Sequence, residues 1–404
     1  MKLLLFLLLS ISAFSTTCTA QWLQYDKAFD PKDSNDVRSF AKSIQILKTG
    51  EVIAGFQRGL FHLDNGLWRK YTLDTTEFMR GGIINMLKDS LDNLWIATGY
   101  GLKYYDTKLR KITQHYLGRL WAYDSSAQPS TSYYHEVIAA AVDSNGGIWV
   151  AGMSNAAGIS QFKDGKWTKY TILSEKEFPV YGIAASGGTS FEVEKNGCLW
   201  YTAYEGVVRF DPKTNTRTLF DTLRLENNVI SLKNAGRIQI TRDGKIWLNA
   251  QLDYIISFNP SDSIWKVYYK KDIPNVRPED AGLTLFRESA AEDIKGNLWM
   301  TFRRDYLAKY DTTTKKWKKM QLPPGRDYDK GTITLLEYGL AVDGKGQVWV
   351  GTLAEGVVVY TGEANDVQET NAVEGLAHTW IFSITPNPVA GRSRVQLFAD
   401  PMYR

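Results

Sequence analysis

The chain has 404 residues, of which 44% are hydrophobic and 23% are charged, so it can bury one or more apolar cores. Its formal net charge of +4 is small and is not concentrated in a basic run, which argues against a nucleic-acid-binding protein. Only Cys18 and Cys198 are present, which excludes a fold held together by many disulfides.

The N-terminus has the pattern of a secretion signal. Lys2 supplies a positive charge, residues 3–14 are apolar, and residues 15–20 are small. The apolar stretch is too short to span a bilayer, so we expect cleavage near Ala20 and export of the remaining chain. Lipid attachment at Cys18 is an alternative, although the residues before it lack the usual leucine and small side chains. No later segment is apolar enough to predict a membrane span.

A segment that ends in tryptophan recurs six times after the leader. The copies end at Trp95, Trp149, Trp200, Trp247, Trp299 and Trp349. Successive tryptophans lie 54, 51, 47, 52 and 50 residues apart. A regular spacing of this length is typical of propellers and solenoids, in which each repeat forms one structural unit. A weaker seventh copy, residues 43–72, precedes the others, and in it Val52 is aligned with Trp95.

Each copy contains the residues of a tight turn that leads into a strand. In most copies an acidic residue lies six positions before the tryptophan and a glycine lies three before it, as in Asp143 and Gly146. Glycine accepts the positive φ of such a turn, and the earlier carboxylate can bond the turn amides. Each copy then reads as four short strands without helical periodicity, for example residues 83–88, 93–98, 101–106 and 111–115. The pattern predicts an all-β chain.

The fourth strand has its own signature, a tryptophan followed three residues later by a tyrosine. The last copy, residues 338–362, lacks such a strand, but Trp22 and Tyr25 carry the signature near the other end of the chain. We therefore predict a seven-bladed β-propeller over residues 21–362, with residues 21–26 as the outermost strand of the last blade. Such closure removes the open ends of the array.

The repeat pattern also resembles that of a known family. Residues 88–106 and 342–360 match best, with aspartate, glycine, an aliphatic residue and tryptophan in order, followed by a glycine and a second strand. They resemble the two-component regulator propeller (Reg_prop) repeat of Bacteroidetes. The resemblance implies an extracellular sensory propeller of hybrid histidine kinases, often for glycan cues. Because the chain contains one ring and no kinase, we do not expect it to signal directly.

The C-terminal end differs from the propeller. Residues 363–379 are polar and lack periodicity, so they are predicted to form a linker. Residues 380–404 contain Pro386-Asn387-Pro388 followed by an alternating segment, which resembles the start of a type IX secretion (Por) sorting domain. The resemblance implies a cell-surface or extracellular location. Because the chain stops at Arg404, the sorting domain is expected to be incomplete, and a proline turn in a disordered tail is the alternative.

The candidate binding site lies in the loops around one mouth of the central channel. In a propeller, the loops that follow the second and fourth strands of each blade share one face, and such loops carry function. They include residues 118–136 and 223–235. Aromatic rings with arginine and aspartate suit sugar rings, hydroxyls and carboxylates. We therefore predict a carbohydrate or small-ligand site that contains Arg119, Trp121, Tyr123, Tyr133, Tyr134, His135, Tyr181, Arg277, Arg303, Arg304, Asp305, Arg326 and Tyr328.

Other functions remain open. The aromatic loops could instead pack on one another and plug the channel. A scaffold for protein partners, which would use the same face or the outer strands, is an alternative function. A polysaccharide lyase or hydrolase is a further alternative, with His135 beside Tyr133 or Tyr134 as general base. The sequence has no zinc-ligand spacing, nucleophile elbow or phosphate loop, so no metal, cofactor or catalytic residue is assigned. The expected partners are a glycan or small extracellular ligand, surface proteins and the type IX machinery.

Overall fold

The structure is a computed structural model, and it describes most of the repeat region. The described residues are 22–34, 37, 41–56, 59–71, 83–98, 101–115, 137–152, 159–170, 191–203, 206–225, 228–233, 235–250, 254–269, 289–302, 306–320, 322–323, 335–353, 355–362, 380–386 and 393–398. They form β-strands almost throughout, with one short 3₁₀ turn at Pro31–Asp33. None of the helices within these ranges has the length and apolar character needed to cross a bilayer.

Seven four-stranded antiparallel sheets form the blades, numbered here around the ring. Blade 1 is β2 (Ser43–Ile46), β3 (Val52–Phe56), β4 (Gly59–Asp64) and β5 (Leu67–Lys70); blade 2 is β6 (Ile83–Lys88), β7 (Leu94–Thr98), β8 (Gly101–Asp106) and β9 (Lys111–His115); blade 3 is β10 (Val137–Val142), β11 (Ile148–Gly152), β12 (Ile159–Lys163) and β13 (Lys166–Tyr170). Blade 4 is β14 (Phe191–Val193), β15 (Leu199–Ala203), β16 (Gly206–Asp211) and β17 (Thr216–Phe220); blade 5 is β20 (Ile238–Ile240), β21 (Ile246–Ala250), β22 (Tyr254–Asn259) and β23 (Ile264–Tyr269). Blade 6 is β24 (Ala290–Glu292), β25 (Leu298–Phe302), β26 (Tyr306–Asp311) and β27 (Lys316–Met320); blade 7 is β28 (Leu335–Val342), β29 (Val348–Thr352), β30 (Val357–Tyr360) and β1 (Trp22–Tyr25).

The blades form a closed ring. The inner strands of neighbouring blades pack on one another from blade 1 to blade 7, and β28 of blade 7 packs in turn on β2 of blade 1. Strand β1 pairs antiparallel with β30, with Trp22 opposite Tyr360 and Tyr25 opposite Val357. The N-terminal strand thus completes the last blade, which confirms the predicted seven-bladed propeller and its closure.

The core consists of apolar clusters between neighbouring blades. The tryptophan of each second strand points toward the following blade, as Trp200 of blade 4 does when it packs with Ile238 and Leu248 of blade 5. All six of these tryptophans are at most 7% exposed. Burying an aromatic side chain of this size stabilises the fold by about 1.5–3 kcal/mol. These six repeated tryptophans are therefore structural.

A carboxylate holds the turn before each of several second strands. Asp143 Oδ1 accepts the N–H groups of Asn145 and Gly147 at 2.9 and 2.8 Å, and its Oδ2 accepts the indole N–H of Trp149 at 2.9 Å. Gly146 has a φ of +78°, which a side chain would strain. The same carboxylate–indole bond joins Glu194 to Trp200, Asp293 to Trp299 and Asp343 to Trp349. The turn bonds confirm the prediction, and the indole bond adds a link that the sequence pattern did not predict.

The predicted alignment of blade 1 is wrong by one residue. Val52 occupies the position of Leu94 in blade 2, since each pairs with the last residue of its inner strand. Ile53 therefore replaces the tryptophan, and it faces blade 2 while Val52 faces blade 7. Valine and isoleucine fit either face of a strand, so residue type could not fix the register where the tryptophan is missing.

Part of the predicted 223–235 loop is a β-hairpin. Strand β18 (Thr222–Leu225) pairs antiparallel with β19 (Asn228–Ser231) in a separate two-stranded sheet. Ile230 and Leu232 are fully buried in the cluster between blades 4 and 5. The hairpin therefore extends the core at the end of the blades where the fourth strand leads into the next inner strand.

The C-terminal segment contains a second separate sheet. Strand β31 (Trp380–Pro386) pairs antiparallel with β32 (Ser393–Phe398). The alternating segment after Pro388 was expected to be a strand, and β32 covers it. Whether this hairpin belongs to a sorting domain stays a prediction.

Candidate functional site

The predicted ligand-binding residues lie outside the part of the chain that the structure describes. These are Arg119, Trp121, Tyr123, Tyr133, Tyr134, His135, Tyr181, Arg277, Arg303, Arg304, Asp305, Arg326 and Tyr328. Each belongs to a segment that follows a second or a fourth strand, and in a ring of four-stranded antiparallel blades those segments leave the sheets on the same face. The topology therefore agrees with a common face, which we call the channel-mouth face, while their grouping into one site stays a prediction.

The pairing register allows the same position to be compared in all seven blades. One such position is the inner-strand residue opposite the tryptophan, or opposite Ile53 in blade 1. It is occupied by Gln45, Leu87, Ala141, Glu192, Gln239, Ala291 and Ala341 in blades 1 to 7. Glu192 of blade 4 is thus the one charged residue among them.

Glu192 is partly buried and holds its proton more tightly than an ordinary glutamate. Burial raises the pKa of Glu192 to about 7, and the positive charge of Arg237 opposes that rise only in part. A carboxyl group with such a pKa is protonated in an appreciable fraction of molecules at neutral pH. It can then donate as well as accept a hydrogen bond.

Arg237 lies directly before the inner strand of blade 5. The equivalent residues in other blades, where described, are Ser43, Asn85, Ala139, Ser289 and Gly339, all uncharged. The preceding Gly236 donates its N–H to the carbonyl oxygen of Asn249 at 2.8 Å. Glu192 and Arg237 belong to neighbouring blades, and the charge of Arg237 acts on the Glu192 carboxyl group.

Asn249 of β21 is a further buried polar residue of blade 5. It lies two residues after Trp247, is 5% exposed, and has neither Oδ1 nor Nδ2 in a hydrogen bond. A buried amide without a partner costs about 1–3 kcal/mol, so natural proteins rarely keep one without a reason.

Blade 1 shows how polar side chains at these positions are used elsewhere. Gln45 Nε2 donates to the carbonyl oxygen of Met86 at 2.8 Å, and Ser43 Oγ accepts the Met86 N–H at 3.0 Å. These two side chains thus form hydrogen bonds with backbone groups of β6, the inner strand of blade 2. Their role is structural, because both are paired with backbone groups.

A second group of titratable side chains lies between blades 1 and 2. The Tyr71 hydroxyl donates to Glu51 at 2.8 Å, and His62 Nδ1 lies 3.4 Å from the same carboxylate oxygen. The hydrogen bond from His62 holds the pKa of Glu51 below its usual range, and burial followed by the Glu51 charge raises the pKa of Tyr71. A tyrosine with a raised pKa is a poor general base. The group stabilises the blade in which Ile53 replaces the tryptophan.

Cys198 and Glu194 do not form another candidate site. Burial raises the pKa of the Cys198 thiol, which disfavours the nucleophilic thiolate. Arg209 Nε bonds Glu194 at 2.7 Å, so that carboxylate is occupied by a guanidinium and by the Trp200 indole. Within the described ranges, no three histidine, cysteine, aspartate or glutamate side chains are placed to hold a metal ion.

Comparison by sequence gives no relative. No family model matches the chain, and no curated protein matches it.

Comparison of structures finds, among other proteins, extracellular domains of two-component systems and a lyase. The extracellular domain of a hybrid two-component system from B. thetaiotaomicron aligns over 83% of this chain and 39% of its own, with a TM-score of 0.56 and 15% identity. A second extracellular domain of this type, from the same organism, aligns over 95% and 46%, with a TM-score of 0.59 and 16% identity. Virginiamycin B lyase from Staphylococcus aureus aligns over 84% and 98%, with a TM-score of 0.56 and 14% identity.

These identities are low, so the likeness concerns the fold. The chain spans less than half of each extracellular sensor domain but corresponds to almost the whole of the lyase. It is therefore a seven-bladed β-propeller similar to extracellular domains of Bacteroides two-component systems and to a bacterial lyase.

Proposed function

We propose that the protein is an exported propeller that binds an extracellular carbohydrate on the channel-mouth face. The observation that carries this proposal is the strand topology, because every segment with a predicted binding residue leaves the blades on that face. A rigid ring that presents variable loops on one side is a common arrangement for ligand binding. The similarity to extracellular sensor domains supports a binding role at the cell surface.

The proposal includes the family and the route of export. The repeat is assigned to the two-component regulator propeller type because its turn, glycine and tryptophan recur in register around the ring. Export through the N-terminal leader and retention by a type IX sorting segment at residues 380–404 are part of the same proposal. Detection of the mature protein on the cell surface, with its N-terminus near residue 21, would support both.

Thermal shift against neutral and acidic oligosaccharides tests the binding role. A ligand that binds only the native protein raises the unfolding midpoint by mass action. At a free ligand concentration of 100 times Kd, it adds about 2.7 kcal/mol to the free energy of unfolding. We expect a shift with at least one sugar that is lost in Trp121→Ala and retained in Trp380→Ala, the matched change at the other tryptophan outside the repeat. A shift retained in both variants would place the sugar elsewhere. No shift with any sugar would favour the scaffold for protein partners.

A lyase is the second candidate, because the chain matches nearly the full length of virginiamycin B lyase. Incubation with a streptogramin B antibiotic and with acidic oligosaccharides, followed by mass spectrometry, tests for bond cleavage. Product that disappears in His135→Ala would establish turnover with His135 in the reaction. Intact substrates after prolonged incubation would leave binding as the function.

A further inference from the structure

The side of the ring opposite the channel-mouth face consists of short turns. These are the turns after the first and third strands of each blade, which the antiparallel pairing places at the same end of the sheets. All of them belong to the described residues. None has more than five residues between its paired strand ends, so no long loop covers its neighbours. We call this side the turn face.

Blade 2 differs from the other blades because both of its turns expose a leucine. Leu91 is 67% and Leu109 is 73% exposed, the highest values among the described large hydrophobic residues. The residues at the position of Leu91 in the other blades are Thr49, Asn145, Asn196, Asp243, Lys295 and Lys345. The residues at the position of Leu109 in turns of equal length are Thr214, Asp262 and Thr314. The repeat thus keeps polar residues where blade 2 has two apolar ones.

The two leucines lie on neighbouring turns whose backbones are fixed. Asn93 Oδ1 accepts the N–H of Thr107 at 3.2 Å, which joins the first turn to the second. The Leu91 N–H donates to Asp89 at 2.9 Å, and the Leu109 N–H donates to Asp106 at 2.8 Å. Because these turns are already ordered, their side chains can contact a partner without an additional cost of ordering the backbone.

Cations flank the leucine pair. Lys108 and Arg110 lie on either side of Leu109 in the sequence, and both are exposed. Lys48 of blade 1 extends to the turn of Leu91, where its Nζ donates to the carbonyl oxygen of Ser90 at 2.6 Å. Three positive charges therefore accompany the two apolar side chains.

The carboxylates of the same two turns are directed toward the backbone or toward lysines. Asp106 Oδ1 accepts the N–H of Lys108 at 2.9 Å, in addition to that of Leu109. Asp92 accepts the N–H of Lys48 at 2.6 Å and lies 3.6 Å from Lys88 Nζ. These groups are half-buried, whereas Lys108 and Arg110 are exposed. A partner that approaches the turns from solvent therefore meets the cations first.

The rest of the turn face has the same sign of charge. Its other exposed cations are Lys195, Lys213, Arg242, Lys295, Lys315 and Lys345, and its exposed carboxylates are Asp164, Asp243 and Asp262. Further carboxylates point inward to tryptophan indoles and are at most 8% exposed, namely Asp143, Glu194, Asp293 and Asp343. The turns thus bury much of their negative charge and present their positive charge to solvent.

Both ends of the closed ring also lie on the turn face. Tyr360, the last residue of β30, is paired with Val348, which directly follows a turn of this face. Trp22, the first residue of β1, is paired with Tyr360 as well. A segment that held either end of the ring at a membrane would therefore bring the turn face toward the lipid.

The combination of features selects among partners. A soluble polyanion would pair with the cations but would leave the leucines in water. A protein partner would need a preformed pocket for each of two protruding side chains. A lipid bilayer is fluid, so apolar side chains can enter it at any point, and its anionic headgroups attract lysine and arginine. Single exposed leucines are common in soluble proteins, whereas this pair coincides with a positive surface.

We propose that the turn face docks on an anionic lipid surface. Leu91 and Leu109 insert between the headgroups, and Lys48, Lys108 and Arg110 contact the headgroup phosphates. This site is independent of the proposed carbohydrate-binding function. Docking in this way leaves the channel-mouth face directed away from the membrane, where it is open to a ligand.

The repeat provides substitutions that the ring already tolerates. Leu91→Asn installs the residue of blades 3 and 4, and Leu109→Thr that of blades 4 and 6. These two changes form the leucine variant. Lys108→Thr installs the residue of blade 6 and Arg110→Asn that of blade 4, and they form the cation variant.

Matched controls lie on the outer strands, away from the turn face. Leu219→Thr removes an exposed leucine from β17, and Lys169→Thr removes an exposed lysine from β13. Melting curves of every variant confirm folding before binding is measured.

Co-sedimentation of the full chain with vesicles tests the proposal. One set of vesicles is phosphatidylcholine alone, and the other contains about 30% phosphatidylglycerol, which supplies the negative charge. Any binding by the apolar leader is registered by the neutral vesicles and is the same in every variant. A raised salt concentration, about 0.5 M in place of about 0.1 M, measures the electrostatic part, because it shortens the screening length.

We expect the wild type to bind the anionic vesicles at least about 10-fold more tightly than the neutral ones, and less tightly at high salt. The leucine variant should bind the anionic vesicles about 10-fold more weakly, because it loses two inserted side chains. The cation variant should lose most of the preference for anionic lipid. Both control variants should bind as the wild type does.

Three outcomes would overturn the proposal. The first is equal binding of the wild type to both vesicles, or undiminished binding of the leucine variant. The second is binding of polyaspartate as tight as that of anionic vesicles, lost in the cation variant alone, which would assign the cations to a soluble polyanion. The third is a wild-type dimer in sedimentation velocity that the leucine variant dissociates, which would assign the leucines to a second copy of the chain. Sugar-induced thermal shifts of the same variants should equal those of the wild type, so failure here is distinguishable from failure of the proposed function.

Discussion

Tyr25 stacks on Trp349, with ring centroids 5.6 Å apart and planes inclined by 11°. One residue belongs to the first strand of the chain and the other to the second strand of blade 7. The contact joins the two ends of the propeller through side chains, in addition to the backbone pairing of β1 with β30. Closure is thus part of the apolar core rather than an edge contact.

Replacing Tyr25 by alanine should therefore destabilise the whole ring. We expect a loss of about 2–4 kcal/mol in the free energy of unfolding, because a large aromatic side chain is removed from a packed site. Urea denaturation followed by tryptophan fluorescence measures the change. Leu219→Ala, at a residue 48% exposed on the outer strand of blade 4, serves as the control and should cost less than about 0.5 kcal/mol. Similar losses for the two variants would contradict a role for Tyr25 in closure.

The carboxylate–indole hydrogen bond should make a measurable contribution to the free energy of unfolding. Trp149→Phe removes the N–H that Asp143 accepts at 2.9 Å while keeping an aromatic ring. We expect a cost of about 1–3 kcal/mol, because a buried carboxylate oxygen loses a partner. Trp247→Phe is the matched change in blade 5, where Thr241 takes the place of the carboxylate, and should cost less. Thermal unfolding of both variants tests this, and an equal loss would show that packing alone accounts for the tryptophans.

Glu192→Gln should stabilise the protein in a pH-dependent manner. The pKa of Glu192 is raised to about 7 in the folded state, so the folded protein favours the protonated form. Below the unfolded pKa both states are protonated and the substitution has little effect. Between that pH and about 7 the carboxyl group of the unfolded chain ionises while that of the folded protein keeps its proton, so the wild type loses stability relative to the variant, to a total of at most about 3 kcal/mol. Melting temperatures at pH 4 and pH 8 decide this, since an equal effect at both values would exclude ionisation as the cause.

Glu51→Gln should have the opposite dependence on pH. The pKa of Glu51 is lowered in the folded state, first of all by its bond with His62, so its stabilising contribution is present above the unfolded pKa. That contribution is lost as the pH falls through the folded pKa. We expect the variant to melt at a lower temperature than the wild type at pH 7 and to approach it at pH 3. Tyr71→Phe, which removes the second bond to Glu51, should cost about 1 kcal/mol at neutral pH. A Glu51→Gln variant that loses as much at pH 3 as at pH 7 would contradict the role of the charge.

The ring could be predicted because its periodicity is carried by tryptophan and by turn residues. Strand β6, for example, has the predicted bounds, and β1 lies where its tryptophan and tyrosine placed it. The prediction was wrong at Val52, where the tryptophan is absent and the register depends on tertiary packing. The β18–β19 hairpin was missed because its short strands lie inside a segment that the repeat pattern assigns to a loop.

Glu192 and Asn249 were missed for a different reason. Both lie within strands, and nothing in their spacing along the chain sets them apart from other strand residues. The signal is visible only when the seven copies are aligned by register, because Asn249 then stands where other blades carry glycine, alanine or threonine. Whether a buried amide has a partner depends on the neighbouring blade, which no local pattern reveals.

The pairing of β1 with β30 also sets the order in which the protein can fold. Strand β1 cannot pair before β30 has been made, so its partner becomes available only after almost the whole propeller has been released from the ribosome. Contacts between such distant residues form slowly, because a long loop must close before they add stability. Until then β28, β29 and β30 have no fourth strand, and the apolar surface that Tyr25 covers is open to solvent. The ring is therefore most exposed to misassembly just before β30 is released.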